Sequence, residues 1–214
     1  MKSGQKYKIY INDNPLVLAD AREKIEPFPN DAIVVPYVDK TRQLLNFIDF
    51  QEKSATGRMV LIHSHDPKKL FNDFENLFVY IKASGGVVWN NDREVLLIYR
   101  RGKWDLPKGK KNKKETSKQA AVREVEEETG LTDIKLTRHL IKTFHTYRLP
   151  DRIRVLKRTS WYEMKVDLTQ LTLQVEEEIS DARWMRPGDF LDSELPTFNT
   201  IKDVLRAVAS DYQP

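Results

Sequence analysis

The chain has 214 residues, no cysteine and a formal net charge of +4. Without cysteine there are no disulfides and no thiolate metal sites, which fits a reducing compartment such as the cytoplasm. No stretch approaches the length of a transmembrane helix, and the first five residues lack the apolar core of a signal peptide, so a soluble protein with no membrane role is expected.

The first eighty residues read as a small α+β unit. Residues 6–11 and 15–18 form short strands around the Asn12-Asp13-Asn14 turn. Residues 32–35 look like a buried strand that stops at Pro36. The apolar residues Leu44, Leu45, Phe47 and Ile48 place a helix over 41–51. Residues 59–63 are a further strand. Residues 66–78 read as a helix, with Asp66 as its cap and Pro67 at its first position. No linker rich in glycine or serine follows, and the boundary is placed near 80–82. This gives an N-terminal domain over 1–81 and a second domain over 82–214. The first carries no motif that names its role. His63 and His65 share one strand face with no partner ligand in view and read as structural.

The second unit opens with a strand over 83–89 whose glycines, Gly85 and Gly86, allow close backbone approach. Asn90–Asp92 supplies a turn, and residues 94–100 form the next strand. Trp104-Asp105-Leu106-Pro107 then leads into a lysine-rich loop and a helix. Thr116 with Gln119 makes a capping-box pattern, so the helix starts there, and Gly130 suits a left-handed position just past its end. Ala120, Ala121 and Val125 give that helix a small apolar strip. At 100° per residue, Glu124, Glu127 and Glu128 fall within roughly a 100° sector. Like charges at such spacing disfavour a bare helix by a few tenths of a kcal/mol per pair. A divalent cation among them removes the penalty, and ligands made only of oxygen favour a hard ion such as magnesium or manganese. Arg123, four residues before Glu127, is placed to hold it by an ion pair. Residues 136–146 and 155–166 are β-rich, and 182–185 is a last short strand. Residues 200–209 form an amphipathic helix with Ile201, Val204, Leu205 and Val208 on one face. Trp161 and Tyr162 are expected in the core.

Residues 109–131 resemble the signature of the Nudix hydrolases. Gly109, Glu115, Arg123-Glu124-Val125, Glu127-Glu128 and Gly130-Leu131 occupy every fixed position of that pattern. The Gly-Gly-Val-Val strand and the Trp-Asp-Leu-Pro run also look like that family. The resemblance covers about the last 130 residues. It implies a Nudix-type α/β/α sandwich with a mixed sheet, here preceded by the small α+β domain. It further implies hydrolysis of a phosphoanhydride bond in a nucleoside diphosphate linked to another group, with magnesium (or manganese) as cofactor. By position, Glu124, Glu127 and Glu128 would coordinate the metal, and Glu124 would also act on the attacking water. Arg123 would orient a glutamate, Glu115 would sit in an outer shell or bridge to a metal, and the carbonyl near Lys108–Gly109 would add a ligand. Many members draw a further carboxylate from a loop before a tryptophan-bearing strand. Here Glu176, Glu177 and Glu178 precede Trp184, and Glu178 is favoured, with Glu177 next.

Binding residues follow from charge and from the same resemblance. Eight basic residues between Arg100 and Lys114, with only Asp105 among them, precede the acidic helix, and five more follow it between Arg148 and Arg158. Basic walls around an acidic metal site suit a substrate rich in phosphate. Lys103, Lys108, Arg148 and Arg154 are the expected phosphate grips, and Tyr147 is placed to stack on a base. A tyrosine sixteen residues after Leu131 looks like hydrolases of nucleoside and dinucleoside polyphosphates, and His145 on the same strand face would line that pocket. Two rival readings stand beside this one: a sensor that binds a nucleotide without cleaving it, and a hydrolase of RNA 5′ ends. No aromatic-interleaved RNA motif is visible, so nucleic acid is not the expected partner. Family habit implies a homodimer.

Overall fold

A computed structural model describes residues 5–22, 29–167, 169–174 and 177–209. Glu176 lies outside the described residues. The chain folds as two compact units. One takes residues 1–81 with 144–157, and the other takes 82–143 with 158–214.

In the first unit, β1 (Lys6–Ile11) and β2 (Asn14–Asp20) make an antiparallel hairpin. Its turn holds Asn12 and Asp13 at φ 51° and 61°, a left-handed conformation that these two side chains tolerate better than most. β3 (Ile33–Pro36) and β2 each pair in parallel with β4 (Val60–Ser64). α1 (Thr41–Lys53) carries the chain from β3 to β4. α2 (Pro67–Glu75) starts where Asp66 accepts a hydrogen bond from the Lys69 N–H at 2.9 Å. It stops at Glu75, three residues short of the expected end, with Asn76 as its cap. The core gathers Ile9, Leu16, Leu18, Leu44, Ile48, Ile62 and Phe74. Phe144 and Leu156 join it from the strands β9 (Lys135–Arg148) and β10 (Arg154–Lys165).

The second unit is built on β5 (Val79–Trp89), β6 (Val95–Arg100), the remainder of β9 and β10, and β11 (Ile179–Met185), in the sheet order β11-β6-β5-β10-β9. The sheet of the chain is mixed: the parallel pairs, β1 with β9, β2 with β4 and β3 with β4, lie in the first unit, while β6 pairs antiparallel with β5 and β11. Alternation along β5 sends Val87 and Trp89 to one face and Val88 to the other. On the first face they meet Trp161, Phe190 of α4 (Pro187–Asp192), and Ile201, Val204, Leu205 and Val208 of α5 (Asn199–Ala209). On the second, Val88, Leu96, Tyr162 and Met164 meet Ala121 and Val125 of α3 (Ser117–Thr129). Helices thus cover both faces, as the resemblance to the Nudix hydrolases implies. Two short strands, β7 (Lys103–Asp105) on β6 and β8 (Lys108–Lys110) on β5, go beyond the sequence expectation, as does α4. Three to six residues are too few to show a period. No described helix is long and apolar enough to cross a membrane.

Candidate active site on the acidic helix

α3 begins and ends on the residues the pattern marks. The Gln119 N–H donates to Thr116 Oγ1 at 3.2 Å, and the Thr116 N–H donates to Gln119 Oε1 at 2.9 Å, which satisfies two free donors of the first turn. Gly130 closes the helix at φ 70° and ψ 6°. Between these ends the carboxylates sort by depth.

Glu128 is the deepest, at 1% exposed. The Lys108 main-chain N–H donates to its Oε2 at 2.9 Å, and Arg100 Nη1 donates to its Oε1 at 3.1 Å. Burial pushes its pKa up to about 7, against the pull of Lys108 and Arg100. Glu124 lies half-buried over β8, where a Cβ on Gly109 would overlap its carboxylate. Burial raises the Glu124 pKa as well; Glu127 and Glu177 add to the rise and Arg123 opposes it. Glu127 is outermost, with 51% of its side chain exposed.

Arg123 ties this face together. Its Nε and Nη2 grip Glu115 as a fork, at 3.1 and 2.7 Å. Its Nη1 reaches Glu124 at 2.9 Å and Glu127 at 2.8 Å, and its Nη2 also donates to the Lys110 carbonyl at 3.1 Å. Arg123 holds Glu115 down to about pKa 2, with help from the Asn112 N–H at 2.6 Å. The fork raises the Arg123 pKa above its ordinary value, so its charge is permanent.

Among the described residues, no three His, Asp or Glu side chains stand grouped to hold a metal ion. The reason is local: Arg123 lies among Glu115, Glu124 and Glu127, while Glu128 turns to Lys108 and Arg100. The donor chemistry nevertheless fits a hard divalent cation. The ligands are all oxygen, and Glu124 and Glu128 are desolvated carboxylates whose charged form a cation would favour.

The loop before β11 presents its two described glutamates differently. Glu178, at φ 60°, pairs with Arg101 at the exposed surface. Glu177 comes within 4.0 Å of Arg100, and its charge is felt at Glu124. Of the two, Glu177 is the one within electrostatic reach of the acidic face.

The expected phosphate grips are mostly engaged elsewhere. Lys108 Nζ is buried against Asp105, and Arg100 approaches the same carboxylate at 3.7 Å. Lys103 Nζ sits 4.4 Å from the centroid of the Phe198 ring. Tyr147, Arg148 and Arg154 belong to the first unit. There Arg148 pairs with Glu52 at 2.6 Å, Arg154 pairs with Glu52 and Asp49 of α1, and Tyr147 lies half-buried with its ring centroid 6.0 Å from that of His145. The sequence does not single out Arg100, Glu177 or Asp105 as a linked set. The one available signal is a charge closing the apolar run Val95–Ile98, and it is weak.

Residues 79–207 match the NUDIX domain family. The chain belongs to that family. An RNA pyrophosphohydrolase of Histophilus somni (strain 2336) is 40% identical to this NUDIX protein over 73 residues, which is 32% of this chain. The chain spans 38% of that relative's length. The crystal structure of a C. elegans Ap4A hydrolase binary complex superposes with a TM-score of 0.50 at 22% identity, covering 61% of this chain and 96% of that one. That likeness is one of fold.

Proposed function

We propose that this NUDIX domain is a metal-dependent pyrophosphohydrolase, cleaving a phosphoanhydride bond in a nucleoside diphosphate linked to another group and favouring nucleoside and dinucleoside polyphosphates. One observation carries the reading: Glu115, Glu124 and Glu127 converge on a single arginine, beside a glycine that leaves room for the Glu124 carboxylate. Glu124, Glu127 and Glu128 would hold the ion, together with the main-chain carbonyl at Gly109 and a carboxylate of the 177–178 loop. Once bound, magnesium or manganese would polarise phosphoryl oxygens and lower the pKa of a coordinated water.

The chain's own residues supply the remainder. Glu124 is half-buried with a raised pKa, which suits it to take the proton of the attacking water at a carboxylate oxygen. Arg123, fixed by the Glu115 fork, keeps Glu124 and Glu127 in register. It must give up part of its hold on them when a cation enters, and the fork keeps it nearby. Basic residues of the 100–114 stretch would then neutralise the substrate phosphates.

A second reading, hydrolysis at RNA 5′ ends, draws on the 40% identity to an RNA pyrophosphohydrolase. Phosphate release should be measured with and without magnesium on diadenosine tetraphosphate, ADP-ribose and a 5′-triphosphorylated RNA. The expected outcome is magnesium-dependent release from the dinucleotide that falls at least about 100-fold in Glu127→Gln. Preference for the RNA, with affinity dropping steeply as salt rises, selects the second reading. Silence on every substrate removes both.

A further inference from the structure

The hydroxyl of Ser84 plays no part in the hydrolysis proposed for this site. Ser84 lies on β5, wholly buried, and its Oγ has no hydrogen-bond partner among the described residues. A buried hydroxyl without a partner disfavours the folded state, because folding strips its water and returns nothing. An alanine would fill the same place without that penalty.

Three observations place Ser84 beside Glu124. In the antiparallel ladder Ser84 stands directly opposite Gly109. Residues directly opposite send their side chains to the same face, with Cβ atoms about 5 Å apart. The position a Gly109 Cβ would take is the position the Glu124 carboxylate occupies. Gly86, two residues along β5 and so on the same face, looks out on Val125 of α3, whose Cγ2 lies 2.8 Å from where a Gly86 Cβ would stand. The Ser84 side chain therefore enters the space beneath α3, on the side where the Glu124 carboxylate lies.

We propose that Ser84 is a positioning residue for Glu124, its hydroxyl donating to the Glu124 carboxylate through one bridging water. Glu124 is then held from two sides. Arg123 grips Oε1 from the helix surface at 2.9 Å, and Ser84 steadies the carboxylate from the sheet. The gain appears when a cation draws Arg123 away, because Ser84 is neutral, buried and not displaced by charge. This inference rests on the hydrolase reading of the site.

The test compares wild type, Ser84→Ala and Ser84→Thr in the full chain. Four quantities are read: Mn2+ affinity by electron paramagnetic resonance, kcat and KM on diadenosine tetraphosphate, and the melting temperature. A positioning role predicts that Ser84→Ala binds Mn2+ about tenfold more weakly and loses about tenfold in kcat with KM little changed, as for other groups that orient a ligand. Ser84→Thr, which keeps the hydroxyl, should recover most of both. In a Glu124→Gln background, Ser84→Ala should have no further effect on Mn2+ affinity. If Ser84→Ala melts higher than wild type and keeps its Mn2+ affinity and kcat, the hydroxyl is only a buried liability and the proposal is overturned. If wild type itself binds no Mn2+ and cleaves nothing, the hydrolase reading fails and this inference falls with it.

Discussion

Gly109 carries no side chain in a place where the Glu124 carboxylate already stands. Its φ is not in the left-handed region, so the requirement is space and not backbone freedom. Gly109→Ala should therefore fold and yet displace Glu124, since the carboxylate end is the part able to move. Misplacing a catalytic group by about 1 Å can lower the rate by about 100-fold. A loss of that order in kcat, with an unshifted melting temperature, is the expected result; full activity would show that Glu124 is not used where it lies. A second residue-level contrast concerns the loop. Glu178 is spent on Arg101 at the surface, while Glu177 faces Arg100 and is felt at Glu124. Glu177→Gln should lower kcat by about tenfold or more, and Glu178→Gln by less than about twofold, both at saturating magnesium. The reverse order would restore Glu178, which its distance from Trp184 in the sequence favours.

At the scale of the element, α3 shows what a local pattern fixes and where it stops. Its cap at Thr116, its close at Gly130 and its inward strip of Ala120, Ala121 and Val125 are all written in a few neighbouring residues. Gly130 is held twice over. It sits at φ 70°, and a Cβ there would come within 2.7 Å of the Thr172 side chain. Gly130→Ala should destabilise the protein by about 1–2 kcal/mol through the left-handed strain alone, with the Thr172 clash added to it. A thermal melt reads the combined drop, and a melting temperature equal to wild type would refute the account. What the local pattern did not reveal is what lies across the helix. Glu128 looks equivalent to Glu124 by spacing, yet it ends 1% exposed against Arg100 and the Lys108 N–H. Lys108 looks like a phosphate grip, yet it pairs with Asp105 three residues away. Both outcomes depend on how β6, β7 and β8 pair, and strands of three residues leave no periodic trace.

At the scale of the whole chain, the cores of the two units draw on different segments. Phe144 and Leu156, far along the sequence, complete the core made by Ile9, Leu16, Leu44 and Phe74. Nothing in the periodicity of residues 136–146 or 155–166 tells which apolar residues serve which core, because both alternate alike. β5, β9 and β10 each contribute residues to both units, so no single cut in the chain separates them. A fragment of residues 82–214 begins inside β5 and leaves Phe144 and Leu156 without the side chains that bury them. Each fully exposed large apolar side chain forfeits about 1.5–3 kcal/mol of burial, and the paired strand β1, matched to Phe144–Thr146, is lost with it. The fragment should therefore melt well below the full chain and aggregate at concentrations where the full chain stays monodisperse, as followed by light scattering. Double Phe144→Ser, Leu156→Ser substitution in the fragment should restore solubility if these two newly exposed side chains are the cause. A fragment as stable as the full chain would show that residues 1–81 add nothing to the fold of the remainder, and would move the search for their role to binding.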